Sequence, residues 1–194
     1  MPWPVFNTPF LATLLLLCLR KRWNRFEPWR WLRIAPAPLV AALPALDSVL
    51  YMPLAACRPE LSVLPRGLLV ETPQLALLRV RWLMAVSVIA VDGLREWVDG
   101  LDRTGRPCVR LHLLPDTDYL GWDRLLAGGE PAAAMPDTPH LPAVDAYALR
   151  FHRRQLAGLD VLCGEAASGL SPLGRQLAGR IVPAHTGQRD RQFR

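Results

Sequence analysis

The spacing of apolar residues changes several times along this 194-residue chain, and each change predicts an element. Leu11, Leu14, Leu15, Cys18, Leu19, Arg22 and Phe26 recur at helical spacing. They predict an amphipathic helix over residues 9–26, with Thr8 as N-cap and Pro9 at the first helical position. An Arg/Trp-rich stretch, 23–33, follows and reads as packing surface. Residues 39–46 then read as a short helix bounded and interrupted by prolines. From Ser48 the period shortens. Runs at 49–52, 68–70, 75–82 and 86–91, rich in Val, Leu and aromatics with turn residues between them, predict strands.

The clearest local unit is 94–114, where strict alternation on both sides of Asp102-Arg103-Thr104-Gly105 predicts a β-hairpin. Val109, Leu111 and Leu113 share one face, and Arg110 and His112 the other. With the apolar face as core, His112 is expected to be solvated or paired across the strands. Residues 116–126 predict a helix capped by Asp116 or Thr117, with Asp118 in its first turn. Residues 129–142, rich in Ala, Pro and Gly, read as a linker. Beyond it, 143–162 predicts one helix, Ser171-Pro172 opens another, and 185–194 is a frayed tail. The division is therefore an N-terminal helical segment 1–42, a β-sheet unit 43–128, the linker 129–142 and a C-terminal helical segment 143–194. The fold class is α+β.

Composition narrows the function classes. The chain is 51% hydrophobic and 21% charged, as globular proteins are. Its net charge is +6, and Lys21 is the only lysine, so the positive charge is nearly all guanidinium. Guanidinium forks suit carboxylates. The charges are spread along the chain and no recognition motif accompanies them, so no nucleic-acid partner is expected. Cys18, Cys57, Cys108 and Cys163 form no metal-ligand spacing, which argues against zinc and for thiols in a reducing, cytoplasmic setting. The apolar run 10–19 is about half of the ~20 residues a spanning helix needs. Its positive charges follow it instead of preceding it, so neither a signal peptide nor a membrane span is expected; a membrane anchor is the second reading. No nucleophile with an adjacent base, phosphate loop or dinucleotide fingerprint occurs, so no catalytic residue is assigned.

The segment LREWVDGLDRTGRPCVRLHLLPDTDYLGWDRLLAG, 94–128, resembles the end of one repeat in the HemS/ChuS hemin-utilisation family. LALLRVRWLMAVSV, 75–88, is similar to that family's strand with a central Trp, here Trp82, and LPALDSVLYM, 43–52, to the opening of the repeat. VDAYALRFHRRQLAGLDVL and GLSPLGRQLAG look like the paired helices between the repeats of long members. The resemblance implies an antiparallel β-sheet flanked by helices, as one such repeat plus C-terminal helices. It also implies haem as cofactor, and a bacterial haem-binding or haem-trafficking role. A homodimer is implied by the single-unit HutX/ChuX relatives, or else pairing with a two-repeat homologue. A family member without ligand that serves as an interaction or regulatory partner is the second reading; a haem-degrading enzyme is the third.

The family holds haem iron by a His on the first inter-repeat helix, and Leu159 stands at the matching place here. His152, seven residues earlier on the same predicted helix, is the candidate axial ligand and metal-binding residue; a surface histidine in a basic run is its other reading. Cys163 could supply a thiolate or be a buried structural thiol. Arg79 and Arg81, two apart on a predicted strand, are candidates for haem propionates or for ion pairs with Glu71, Asp92 or Glu96. Trp82 is a candidate for stacking on the porphyrin or for the core. The expected slot lies between the sheet and the 143–162 helix. His140 and His185 are read as incidental.

Overall fold

The computed structural model describes residues 29–55, 69–91, 93–133 and 141–186. The expected helix over 9–26, Cys18, Cys57, Asp92, His140 and the tail beyond 186 lie outside the described residues. The described strands are β1 (Trp29–Arg33), β2 (Asp47–Pro53), β3 (Leu69–Val70), β4 (Trp82–Ala90), β5 (Gly93–Leu101), β6 (Pro107–Thr117), β7 (Glu130–Pro131), β8 (Tyr147–Leu156) and β9 (Leu159–Ala166). The helices are α1 (Pro36–Ala42), α2 (Tyr119–Ala127) and α3 (Pro172–His185), with 3-10 turns at Leu43–Leu46 and Thr72–Arg79.

All nine strands join one sheet in the order β3-β9-β8-β2-β6-β5-β4-β1-β7. Every pairing is antiparallel except β3 with β9, so the α+β class holds and the sheet is mixed at one edge. Period-2 alternation sends neighbouring side chains to opposite faces. One face carries Val49, Tyr51, Leu83, Val98, Leu111 and Phe151, closed over by Leu39, Leu43, Trp122 and Leu125 of the first two helices and the turn between them. Tyr51 meets Phe151 edge-to-face at 6.1 Å and donates its hydroxyl to Pro73 O at 2.8 Å, so its one polar atom is satisfied inside the core. Gly121 lets α2 lie against the 3-10 turn: a Cβ there would come 2.1 Å from Ala45 O.

The other face holds Leu50, Met52 and Leu114 under Ile181 of α3 and Leu170 just before it. Helix α3 is tied at both ends to one strand, β6. At its start, Ser171 N and Oγ donate to the Asp116 carboxylate at 2.7 and 3.0 Å, while Ser171 Oγ accepts from Gly174 N at 3.0 Å. At its end, Arg110 Nη1 donates to His185 Nδ1 at 2.8 Å. The lengths agree: Asp116 to Arg110 spans about 20 Å of strand, and Ser171 to His185 about 21 Å of helix.

Three expectations change. Residues 143–162 are not a helix but the hairpin β8–β9. Leu149 and Phe151 alternate inward, and the turn Ala157-Gly158 takes φ of 50° and 80°, the two-residue hairpin geometry. Arg, Gln and Leu favour helices locally, but pairing with β2 and β9 decides the outcome. The sheet therefore takes strands from both sides of the 43–128 unit, and of residues 143–186 only α3 is helical. The run 75–82 is not a strand either. Pro73 at its start and the Leu-Ala-Leu-Leu run wind into a 3-10 turn burying Leu77 and Leu78, and Trp82 opens β4. Finally, Asp118, not Asp116 or Thr117, caps α2, accepting from Leu120 N and Gly121 N. Asp116 is committed to α3.

Candidate functional site

The structure separates the residues singled out from the sequence. His152 lies on β8 and Trp82 on β4, on the same face but four strand spacings apart, about 19 Å. His152 is half-exposed, 3.6 Å from the Glu165 carboxylate, and the helix expected to carry it is absent, so the slot between sheet and helix is absent with it. Leu159 likewise sits at a hairpin tip and is exposed. Arg79 and Arg81 do not share a strand face. Arg79 pairs with Asp102 at 3.3 Å, while Arg81 donates to Leu78 O and Val80 O at 3.0 and 2.8 Å. The acid that answers Arg79 is thus the one that nucleates the β5–β6 turn. Asp102 Oδ1 accepts from Thr104 N, Thr104 Oγ1 and Arg106 N. Burial raises its pKa, but those bonds and Arg79 outweigh burial and hold the carboxyl below its usual range. The Trp82 ring carries Arg33 over it at 5.8 Å. Cys163 is buried, and desolvation, then Glu71, pushes its thiol pKa up, away from a reactive thiolate.

A different constellation forms on the face under the end of α3. Strand register lines up Val86, Trp97 and His112 in one row, with Trp29 at the β1 end, and Met84, Asp99 and Arg110 in the next, with Trp31 at its end. Arg110 is buried and bound twice to Asp99, Nε to Oδ1 at 2.5 Å and Nη2 to Oδ2 at 2.8 Å. Its guanidinium also lies 5.7 Å from the Trp97 ring centre. Arg has no acceptor, so His185 Nδ1 must accept from it; in neutral His185 the proton is on Nε2.

His112 is 2% exposed, with its ring between Trp97, centroids 5.7 Å apart, and His185, 5.2 Å. Neither His112 nitrogen has a hydrogen-bond partner, nor does Trp97 Nε1. Burial first, then the fields of His185, Arg110 and Arg95, lowers the His112 pKa to about 2. The imidazole is therefore neutral throughout the physiological range, with a ring lone pair that nothing in the fold uses. An unsatisfied buried group costs about 1–3 kcal/mol, and this one invites a functional reading.

From the sequence, His112 is expected to be solvated or paired across the strands, and His185 to be incidental. The alternation holds, but α3 covers the second face, so His112 is buried and His185 is half-buried against it. The faint signal was the full run Val109 to Leu114, whose two faces both end apolar. Among the described residues, no group of three His, Cys, Asp or Glu is placed to hold a metal ion by itself, and no helix is long and apolar enough to cross a membrane.

No family model and no curated protein sequence matches the chain. Solved structures do. The chain is similar to the heme-degrading enzyme ChuS of Escherichia coli O157:H7, with 13% identity and TM-score 0.39 over 59% of this chain and 41% of that one. It is similar to ChuS described as an E. coli heme oxygenase, with 12% identity and TM-score 0.41 over 66% and 44%. It is also similar to holo-PhuS, a heme-binding protein from Pseudomonas aeruginosa, with 16% identity and TM-score 0.38 over 66% and 44%. In each case the match spans less than half of the other chain.

Proposed function

We propose that this chain binds haem for transfer, with His112 as the axial ligand and the aromatic row beside it as the platform for the ring. The carrying observation is the His112 imidazole: neutral, buried, and without a partner for either nitrogen. That is the state an iron ligand requires, and it is wasteful in a group that serves only packing. Trp97, Val86 and Trp29 continue its row toward the sheet edge, and Met84 flanks it, so the surface leading away from His112 is flat and mostly apolar. The resemblance of residues 43–179 to the HemS/ChuS family supplies the ligand class. Bound haem would contribute an iron centre. The protein's own part is to bind, orient and shield it.

In the closed arrangement His185 stands over His112. Access requires the last turn of α3 to swing aside. That turn is held by Arg110 Nη1 to His185 Nδ1, by Ala143 N to His185 O at 2.9 Å, and by Thr186 N to Val182 O at 3.0 Å. Pro183 removes one backbone donor from the same turn. A cytoplasmic location and a dimer belong to this proposal and are not needed for its chemistry.

The test is a hemin titration followed by absorbance on wild type, His112→Phe, His185→Ala and His152→Ala. His112→Phe keeps the buried aromatic volume while deleting both nitrogens. A saturable Soret shift is expected in wild type, lost in His112→Phe, kept in His152→Ala, and reached faster in His185→Ala. The same shift in His112→Phe as in wild type rules out His112, and no saturable shift in wild type rules out haem.

A further inference from the structure

The positive charge that the sequence spreads along the chain is gathered by the fold at one end of the sheet. Register places Arg33, at the end of β1, beside Trp82 at the start of β4, and Trp82 beside Leu101 at the end of β5. The backbone fixes what flanks them: Ile34 N donates to Arg81 O at 3.0 Å, and Arg81 N to Leu101 O at 2.7 Å. The β5–β6 turn then adds Arg103 and Arg106, both exposed, as Arg33 is. From Arg33 to Arg106 the row crosses three strand spacings, about 14 Å. The acids that register and the turn place here are Asp102, which Arg79 and the turn engage, and Glu130, which faces Arg33 from β7. Arg81 and Arg103 stand within each other's field: burial first, then Arg103, lowers the Arg81 pKa from its ordinary value. Like charges fixed side by side raise the free energy of the fold until an anion answers them. The mounting is stiff as well. Arg81 Nη1 donates to Leu78 O and Val80 O, and Asp102 Oδ1 accepts from both Thr104 N and Arg106 N. Little loop ordering is left to oppose binding.

We propose that this end of the sheet docks the acidic face of a protein partner, with Arg33, Arg81, Arg103 and Arg106 taking its carboxylates. Guanidinium forks match carboxylate oxygens in pairs, and Arg is enriched where protein interfaces carry their binding energy. Complementary charge also speeds the encounter. Other polyanions are less well served. Trp82, the aromatic in this row, carries Arg33 over its ring at 5.8 Å, so a nucleic-acid base finds no open stacking platform there. Ile34, Val80 and Leu101 are buried, so at this end they offer a bilayer no aliphatic anchor. The docking needs no haem and stands apart from the row that carries His112.

Fluorescence anisotropy of a labelled octaglutamate peptide, titrated with the full chain at low and at high salt, tests the proposal. Wild type is expected to bind saturably at low salt and more weakly at high salt, as exposed charges do. Arg103→Glu with Arg106→Glu is expected to weaken binding by about tenfold or more. Both side chains are exposed, so an unchanged melting temperature shows that the variant is folded. Arg153→Glu with Arg154→Glu makes the same change of net charge on the β8–β9 hairpin and is expected to bind as wild type does. No saturable binding in wild type, or equal binding in the Arg103/Arg106 variant, overturns the proposal. An equal loss in the Arg153/Arg154 variant overturns it in favour of the charge of the whole chain. Tighter binding to an oligothymidylate of the same charge, lost in the Arg103/Arg106 variant, overturns it in favour of nucleic acid. Release of the peptide by phosphatidylglycerol vesicles of matched charge overturns it in favour of a lipid surface.

Discussion

Acid should unfold this protein through His112, and the size of the effect follows from its surroundings. In the unfolded chain an imidazole takes up a proton near pH 6.5. In the folded protein His112 faces Trp97, His185, Arg110 and Arg95, with no carboxylate among the described residues against its ring, and its pKa lies at about 2. Between these values the unfolded state holds one proton more than the folded state. Stability is therefore intact above about pH 6.5 and falls as the pH is lowered, by about 1.4 kcal/mol per unit from this one group. From pH 6.5 to 5 that is about 2 kcal/mol, a sizeable share of the roughly 5–15 kcal/mol that holds a domain folded. This window lies well above the folded pKa, so the result does not depend on where near 2 that pKa falls. His112→Phe removes the titrating group together with both unpartnered nitrogens and keeps an aromatic ring. Replacing unsatisfied polar atoms by an apolar group should leave stability at pH 7.5 level or higher. Urea unfolding of both proteins at pH 7.5, 6.5, 5.5 and 5 supplies the comparison; every other titrating group is shared, so the difference between the two slopes reports His112. Parallel slopes would mean that His112 is solvated or answered by an acid, and the site described above would not exist.

Three other expectations rest on packing and pairing. Asp99→Ala leaves the Arg110 guanidinium buried without its carboxylate and should lower the urea-derived stability by about 3–5 kcal/mol. Asp99→Leu with Arg110→Met should recover most of that; a loss under about 1 kcal/mol for the single variant would contradict the burial of the pair. Gly121→Ala puts a Cβ 2.1 Å from Ala45 O and should cost about 1–3 kcal/mol by forcing α2 off the neighbouring turn, visible as a lower melting temperature. An unchanged midpoint would refute the close approach. Asp116→Ala frees the start of α3 and should cost about 1–2 kcal/mol, with faster amide exchange concentrated in Pro172–His185. Uniform exchange across the sheet would show that the tie is not what holds the helix.

What could be read from the sequence divides by the range of the interaction that fixes it. The β5–β6 hairpin, the Ser171-Pro172 helix start and the short helix near residue 39 rest on contacts within a few residues, and the structure keeps all three. The error at 143–162 arose where local preference and partner strands disagree. Leu149 and Phe151 alternate, but Arg, Gln and Leu around them also suit a helix, and only β2 on one side and β3 on the other make the extended form the better one. The candidate site depended on that error, because moving His152 from a helix to β8 removed the slot it was to serve. His112 and His185 are 73 residues apart in sequence and meet only because Asp116 and Arg110, both on β6, hold the two ends of α3. Those two β6 residues look like a turn-proximal acid and a solvent-face cation when read in place. Their meaning lies in the match between about 20 Å of strand and about 21 Å of helix, a quantity that local periodicity does not contain. A histidine beside such a cation on an alternating strand is therefore solvated or interior according to whether a distant helix has the length to cover it. Here it does, and this converts an apparently exposed imidazole into a buried group with a ring lone pair to offer.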